Sequence, residues 1–287
     1  MPQTAYSDIS PRTTAYAAAE LLKRGLPYLV LELFGQAKPI PRNSSTSVKF
    51  RRYNSMDPTP KALTEGVTPA ATKLTSTDVL ATLTQYGDGV QISDVIEDTH
   101  EDPVLREAQD ILGEQAAQMI EAVRFGKLKA GTNVYYANGA SRLEVNSVVS
   151  LALQRKITRA LQRQKASRIT KVVRSTPDYG TEAVAPSFIG LCHTDCESDI
   201  RDMPGFVPVE KYGSMTPYES EIGKVENVRY VASQVFEPWE DAGGDPTTNG
   251  VLSTSGGAPG KADVYPILYI GADAYGIVPL KGKAAIT

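Results

Sequence analysis

A chain of 287 residues with 41% apolar and 22% charged residues can build one large domain or two modest ones, which excludes wholesale disorder. A net charge of −3 excludes a globally basic nucleic-acid binder. Two cysteines, Cys192 and Cys196, cannot make a disulfide framework and fit a reducing compartment, and the opening MPQTAYSDISPRTT lacks the apolar centre of a signal peptide.

In chain order, residues 14–24 carry Tyr16, Ala19 and Leu22 at helical spacing, which predicts a short N-terminal helix stopped by Gly25 and Pro27. The most apolar stretch, residues 26–34, is broken by Pro27 and Glu32 and is far shorter than a bilayer span. Pro39 and Pro41 favour extended chain. Residues 47–53 alternate, Val48 and Phe50 one way and Lys49 and Arg51 the other, as in a half-exposed strand. Residues 56–72, rich in Pro, Thr and Gly, predict a long loop. Alternation resumes at Val79, Ala81 and Leu83, and continues past the turn signal Tyr86-Gly87-Asp88-Gly89 to Val90 and Ile92. The sum is a large hairpin with little apolar cargo, marginal in water by itself, whose edges invite pairing with another chain. Such an arm points towards assembly on a neighbouring copy.

A long helix is predicted over 102–128, with Asp102 as N-cap and Pro103 at the first helical position. Val104, Ala108, Ile111, Leu112, Gln115, Met119, Ile120 and Val123 form its expected inner stripe. Acids precede Arg124, Lys127 and Lys129, as the helix dipole prefers. Val134-Tyr135-Tyr136 reads as a short strand before an Asn138-Gly139 turn. A second helix is expected over 147–164, capped by Asn146, with Val149, Leu153, Ile157 and Leu161 inward. A buried strand over 187–191 leads into a capping box, Thr194 with Glu197, then Ile200 and Met203 inward and a stop at Pro204-Gly205. One strand is predicted over 225–233, a mobile surface loop over 241–260, and strands over 264–270 and 275–278. Strands and helices mixed without regular alternation indicate α+β.

Charge is segregated along the chain. Asp94, Glu97, Asp98, Glu101, Asp102, Glu107, Asp110 and Glu114 oppose Arg106, whereas Arg155, Lys156, Arg159, Arg163, Lys165, Arg168, Lys171 and Arg174 stand together with no acid among them. These are either solvated faces or complementary patches on repeated subunits. The basic run could also touch DNA phosphate, although it lacks the interleaved aromatics of a single-strand groove.

Catalytic patterns fail on context. Cys192-His193-x-x-Cys196 falls short of a zinc site, because the other histidine is His100 and no second cysteine pair exists. Cys196 sits at a predicted helix N-terminus, where a thiol pKa falls. Gly126-Lys127-x-Lys129-x-Gly131 follows a helix and lacks the Gly-Lys-Ser/Thr ending of a phosphate loop; no helix follows Gly271-Ala272-Asp273-x-x-Gly276. The carboxylate pairs Glu97-Asp98 and Glu101-Asp102 are read as solvated rather than ion-binding. The expectation is a non-enzyme with no catalytic residue, cofactor or metal.

Five separated blocks carry a resemblance: GQAKPIPRNSSTSVKFRRYN, LTQYGDGVQISDVIEDTHEDPVL, CHTDCESDIRDMPGFVPVEKYG, EIGKVENVRYVAS and DVYPILYIGADAYGIVPLKGK. Together they resemble the major capsid protein of tailed bacteriophages, more narrowly the N-four-like coat-protein family with the HK-ninety-seven-type capsid fold, from about Tyr16 to Lys283. The resemblance implies an N-terminal arm over 1–43, an extended E-loop hairpin region over 44–92, and a P domain over 93–173 with its spine helix at 102–128. It further implies a mostly A-domain segment over 174–260 and return strands of the P domain over 261–287. The implied function is a structural coat protein assembling as pentamers and hexamers into an icosahedral head around double-stranded DNA, made in the bacterial host cytoplasm and residing in the virion. Implied partners are other copies of itself, a separate scaffolding protein, portal and decoration proteins, and packaged DNA by non-specific contact, with no membrane. Lys49, Arg51, Arg52, Tyr53, Glu97, Asp98, Glu101, Arg155, Arg159 and Arg163 are the expected assembly-interface residues. Family members continue some tens of residues past the segment matching KGKAAIT, so a closing strand of the P-domain sheet is expected to be missing; no long helical pro-segment precedes the arm, so self-cleavage of an attached scaffold is not expected. Competing readings are an encapsulin-like compartment shell without a genome, an enzyme using Cys196 or an acid pair, and a nucleic-acid-binding module built on residues 155–174. Particle size and nucleic-acid content separate the first, cysteine replacement the second, and salt-dependent binding the third.

Overall fold

The computed structural model describes residues 28–38, 46–63, 65–66, 68, 71–90, 104–173, 181–213, 216–246, 250–254 and 261–278. They fall into two compact units. The predicted N-terminal helix over 14–24 and the acidic residues 94–102 lie outside the described residues.

The larger unit is built on a mixed sheet. Its strands are β4 (Ile169–Val173), β5 (Thr181–Cys192), β6 (Phe206–Pro208), β7 (Glu221–Val225), β8 (Val228–Ala232) and β9 (Leu268–Ile270). The order is β4-β5-β8-β7-β6, with β9 also paired to β5. The first half of β5 pairs antiparallel with β4; its second half lies between parallel β8 and antiparallel β9. Buried on both faces, that second half reads as a largely apolar run, SFIGLC, and β8, VRYVA, is buried throughout with Arg229 as its one charge. Phe188, Cys192, Val228 and Tyr230 join one cluster, while Ile189, Leu191 and Val231 join the other. Each such side chain taken fully out of water contributes about 2–3 kcal/mol. Gly190 is required here, because a Cβ would meet the Tyr230 ring at 2.7 Å.

Two long helices cover this sheet. Helix α1 (Val104–Leu128) is a rod of about 37 Å. Its innermost line is Gly113, Ala117, Glu121 and Phe125, at four-residue spacing. The predicted stripe is thus displaced: Ile111 is 58% exposed and Gln115 is exposed. The reason is local. Glu121 is covered because its Oε1 accepts the Leu31 N–H at 2.8 Å, and Arg124 pairs with Glu32 at 3.1 Å, so residues 28–34 pack along this line. Phe125 stacks on Phe236 with ring centroids 4.5 Å apart. Helix α2 (Leu151–Arg163) starts later than expected. Its cap is Ser150, whose Oγ accepts the Leu153 N–H at 3.3 Å; Asn146 instead accepts from the Asn138 amide at 2.8 Å. Gln154 is wholly buried, donating to the Val225 carbonyl and accepting from the Tyr230 hydroxyl.

Four further expectations are corrected. The strand expected over 225–233 is β8, which begins only at Val228: Val225 ends β7, and a two-residue turn at Glu226 and Asn227, with Glu226 at φ 53°, joins the two. No strand forms at Val134-Tyr135-Tyr136. The predicted box at Thr194 is replaced by His193, whose Nδ1 accepts the Asp195 N–H at 3.1 Å, while Glu197 pairs with Arg201 in the short helix α3 (Glu197–Arg201). The described part of residues 241–260 is tied down by backbone hydrogen bonds, Gly243 to Ala262 at 2.8 Å and Gly244 to Val145 at 2.9 Å.

The smaller unit holds β1 (Gln36–Ala37), β2 (Ser47–Tyr53), β3 (Ser76–Thr82) and β10 (Gly276–Ile277). β1 pairs parallel with β10, and β2 pairs antiparallel with β3. The second hairpin strand ends at Thr82; residues 83–90 contain no strand, and Ile92 lies outside the described residues. No described helix is long and apolar enough to cross a membrane.

Candidate assembly surfaces

The hairpin of β2 and β3 has unlike ends. At its base Val48 is buried, Phe50 lies beneath the Lys38 ammonium at 5.7 Å, and the Lys38 side chain donates to the Lys49 carbonyl at 2.7 Å. Gly276 lets Phe50 approach, since a Cβ there would meet its ring at 2.5 Å. Beyond the base both faces are open. Antiparallel register puts Lys49, Arg51 and Tyr53 on one face with Leu80, Asp78 and Ser76, and Arg52 on the other with Thr77 beside Val79. Tyr53, Val79 and Leu80 are 59%, 62% and 63% exposed. Both long edges of this two-stranded sheet are unpaired among the described residues.

One ion-pair group organises the ribbon. Arg51 donates to both carboxylate oxygens of Asp78, directly opposite, at 2.8 and 3.1 Å, and Lys49 lies 3.5 Å from the same carboxylate. The Arg51 hydrogen bond holds the Asp78 pKa below its ordinary value. Of the predicted interface residues, Lys49 and Arg51 are therefore engaged within their own chain, while Arg52 and Tyr53 are exposed. Glu97, Asp98 and Glu101 lie outside the described residues. Val79 and Leu80 were not among the expected site residues. The signal for them is two adjacent large apolar residues in a two-stranded ribbon, which forces one onto each face.

Arg155, Arg159 and Arg163 occupy one exposed line of α2. Arg155 makes an ion pair with Glu226 of the turn between β7 and β8, whose carboxyl it holds below the usual range by hydrogen bonding. This line belongs to the larger unit and the hairpin cations to the smaller one.

The larger unit's polar groups are structural. Arg229, 3% exposed, donates to both oxygens of Glu221 at 2.7 and 2.5 Å and to the Thr216 carbonyl at 2.7 Å. Tyr212 donates to Glu221 at 2.6 Å, and the Tyr218 ring lies 4.2 Å from the guanidinium. This network ties Tyr212, Thr216, Tyr218 and Glu221 to Arg229 and holds two charges away from water. Glu121 has one oxygen without a partner, and burial pushes its pKa up to about 7. Both cysteines are buried and unbonded to each other. Burial pushes the Cys196 thiol up to about 12, opposite to the fall expected at a helix N-terminus. The helix behind it is too short and the surroundings too apolar for a thiolate. No group of three His, Cys, Asp or Glu side chains suited to a metal occurs among the described residues.

A cavity of about 810 Å³ lies in the larger unit beneath α2, lined by Leu153, Ile157, Leu161, Tyr135, Trp239 and Tyr269 among others. Arg142 and Lys129 cover the Trp239 face at 3.8 and 5.2 Å.

The sequence profile of the phage capsid protein family matches residues 76–278, from the second hairpin strand to just past β10. The chain belongs to the phage capsid protein family. A member of this family is a structural component of the virion capsid. Two solved phage heads share the fold. A chain of the capsid structure of cyanophage P-SCSP1u is 12% identical at a TM-score of 0.50, with 88% of this chain and 75% of that one covered. A chain of the head structure of Helicobacter pylori bacteriophage KHP40 is also 12% identical at 0.50, with 72% of this chain and 57% of that one covered. No curated protein matches the chain.

Proposed function

We propose that this phage capsid protein is the major coat subunit of a tailed-phage head, assembling through pentamers and hexamers into an icosahedral shell around double-stranded DNA. The carrying observation is the β2–β3 ribbon, open on both faces beyond its base. Two strands with large apolar side chains on each face are marginal in water. They become stable when laid along a second copy, by strand pairing and apolar contact that exist only in the assembly. Many such contacts, each modest, let subunits leave wrong positions before closure.

In this reading residues 1–43 form an N-terminal arm, 44–92 the E-loop region, 93–173 a P domain with α1 as spine, 174–260 mostly an A domain, and 261–287 strands returning to the P domain. Arg52 and Tyr53 meet the neighbouring copy directly, Lys49 and Arg51 through their shared Asp78, and Glu97, Asp98 and Glu101 supply acidic complements. A scaffolding protein, a portal and decoration proteins complete the particle, which forms in the host cytoplasm.

Electron microscopy of the protein expressed with its scaffold, together with nuclease protection, tests this. Closed shells protecting DNA are expected. Deleting residues 56–72 should leave the larger unit folded by circular dichroism and abolish closed shells. Normal heads from that deletion would remove the role given to the ribbon.

A further inference from the structure

The cation line on α2 is unusual in having almost no local answer. No acid occurs between Glu144 and Asp178. Arg159, Arg163 and Lys165 are exposed and make no ion pair among the described residues; of this line Arg155 does, with Glu226. Like charges at four-residue spacing weaken a helix rather than stabilise it, so helix formation does not account for the row.

The helix end sharpens the point. Ala166 N–H bonds to the Leu161 carbonyl at 3.0 Å and Lys165 N–H to the Gln162 carbonyl at 2.9 Å. That pair of bonds is the Schellman stop, whose left-handed residue is ordinarily glycine. Here it is Lys165, at φ 58°. The chain thus accepts backbone strain at a site where glycine costs least, and gains one more exposed cation just past the end of the arginine row.

We propose that Arg159 and Arg163, with Arg155 at the head of the row and Lys165 just past the helix end, form a docking patch for the backbone phosphates of double-stranded DNA. The proposal rests on the coat-protein reading and names which surface of the subunit meets the genome. Charge density selects this occupant. From Arg155 to Arg163 the helix advances about 12 Å, along which duplex DNA presents a charge every ~1.7 Å. The contact is to phosphate and carries no sequence preference. Arg155, shared with Glu226, orients the row more than it adds charge.

The test uses the full-length subunit and a random-sequence duplex of about 30 base pairs, with affinity measured across salt. The triple variant Arg159→Gln, Arg163→Gln, Lys165→Gln removes three phosphate partners. Its log–log salt slope should become shallower by about 2.7. Between about 50 and about 200 mM salt its affinity should accordingly fall about 40-fold less than the parent's. A control triple, Lys73→Gln, Lys127→Gln, Lys211→Gln, should change the slope much less. An equal change in the control would overturn the proposal in favour of diffuse charge. An unchanged slope with lost shell formation would overturn it in favour of an acidic surface on a second copy. An unchanged slope with intact shells would overturn it outright. Failure of the parent chain to form shells would instead count against the coat-protein reading, and the slope would still be read on the subunit.

Discussion

The two units of this chain treat apolar side chains in opposite ways. In the sheet unit Phe188, Ile189, Leu191, Tyr230 and Val231 are wholly excluded from water, and even the charges of Glu221 and Arg229 are enclosed. In the ribbon, Tyr53, Val79 and Leu80 remain more than half exposed although they sit in regular, fully paired strands. Secondary structure is equally complete in both; what differs is whether the chain itself supplies a second layer. One unit supplies its own second layer, and the other leaves both faces of its ribbon open beyond its base.

The contrast can be broken most severely at the buried ion pair. Glu221→Gln leaves the Arg229 charge enclosed without its counter-ion and should cost about 3–5 kcal/mol, seen as a large drop in the urea midpoint. A nearly unchanged midpoint would mean the network is not enclosed. Next is Glu121. Its folded pKa of about 7 lies above the ordinary carboxyl value of 4.5, so the native state holds the proton more tightly. Stability from this group is full below about pH 4.5, declines as pH rises through about 7, and is flat above. Glu121→Gln should flatten that decline and stabilise the protein at pH 8 by about 2 kcal/mol; a parallel pH profile for variant and parent would refute the assignment. Smaller still, Lys165→Gly relieves the left-handed residue and should raise stability by about 0.5 kcal/mol in thermal melts.

The ribbon should show the least effect on the subunit and the greatest on the particle. Val79→Ser with Leu80→Ser should move subunit stability by no more than about 0.5 kcal/mol, while closed shells disappear from micrographs. A subunit that unfolds instead would show that the ribbon is already covered within its own chain.

The sequence made some of this legible and hid the rest for identifiable reasons. The alternation of Val48 and Phe50 against Lys49 and Arg51 shows in both sequence and structure, because a two-stranded ribbon obeys the period-two rule with little interference. The extent of α1 was also readable, but its buried line was not. An apolar-stripe argument cannot place a glutamate in the core, and Glu121 is there because a backbone N–H from a distant segment meets it. The turn between β7 and β8 was invisible because Glu-Asn lacks glycine and the flanking residues are apolar on both sides. For the interface, residue type pointed to Lys49 and Arg51 as outward-looking cations. Only the cross-strand register reveals that Asp78 already holds them, whereas exposure alone marks Val79 and Leu80.

The burial of Cys192 and Cys196 has a practical consequence for following such particles as they form. Both thiols are held in the neutral, unreactive form, Cys196 with a pKa of about 12, and maleimides attack thiolates. A single cysteine placed at Arg52 or Tyr53 would therefore be the reactive thiol in an otherwise wild-type subunit. Fluorescent donors and acceptors attached there would test, in real time, whether one subunit's ribbon comes to rest on the next.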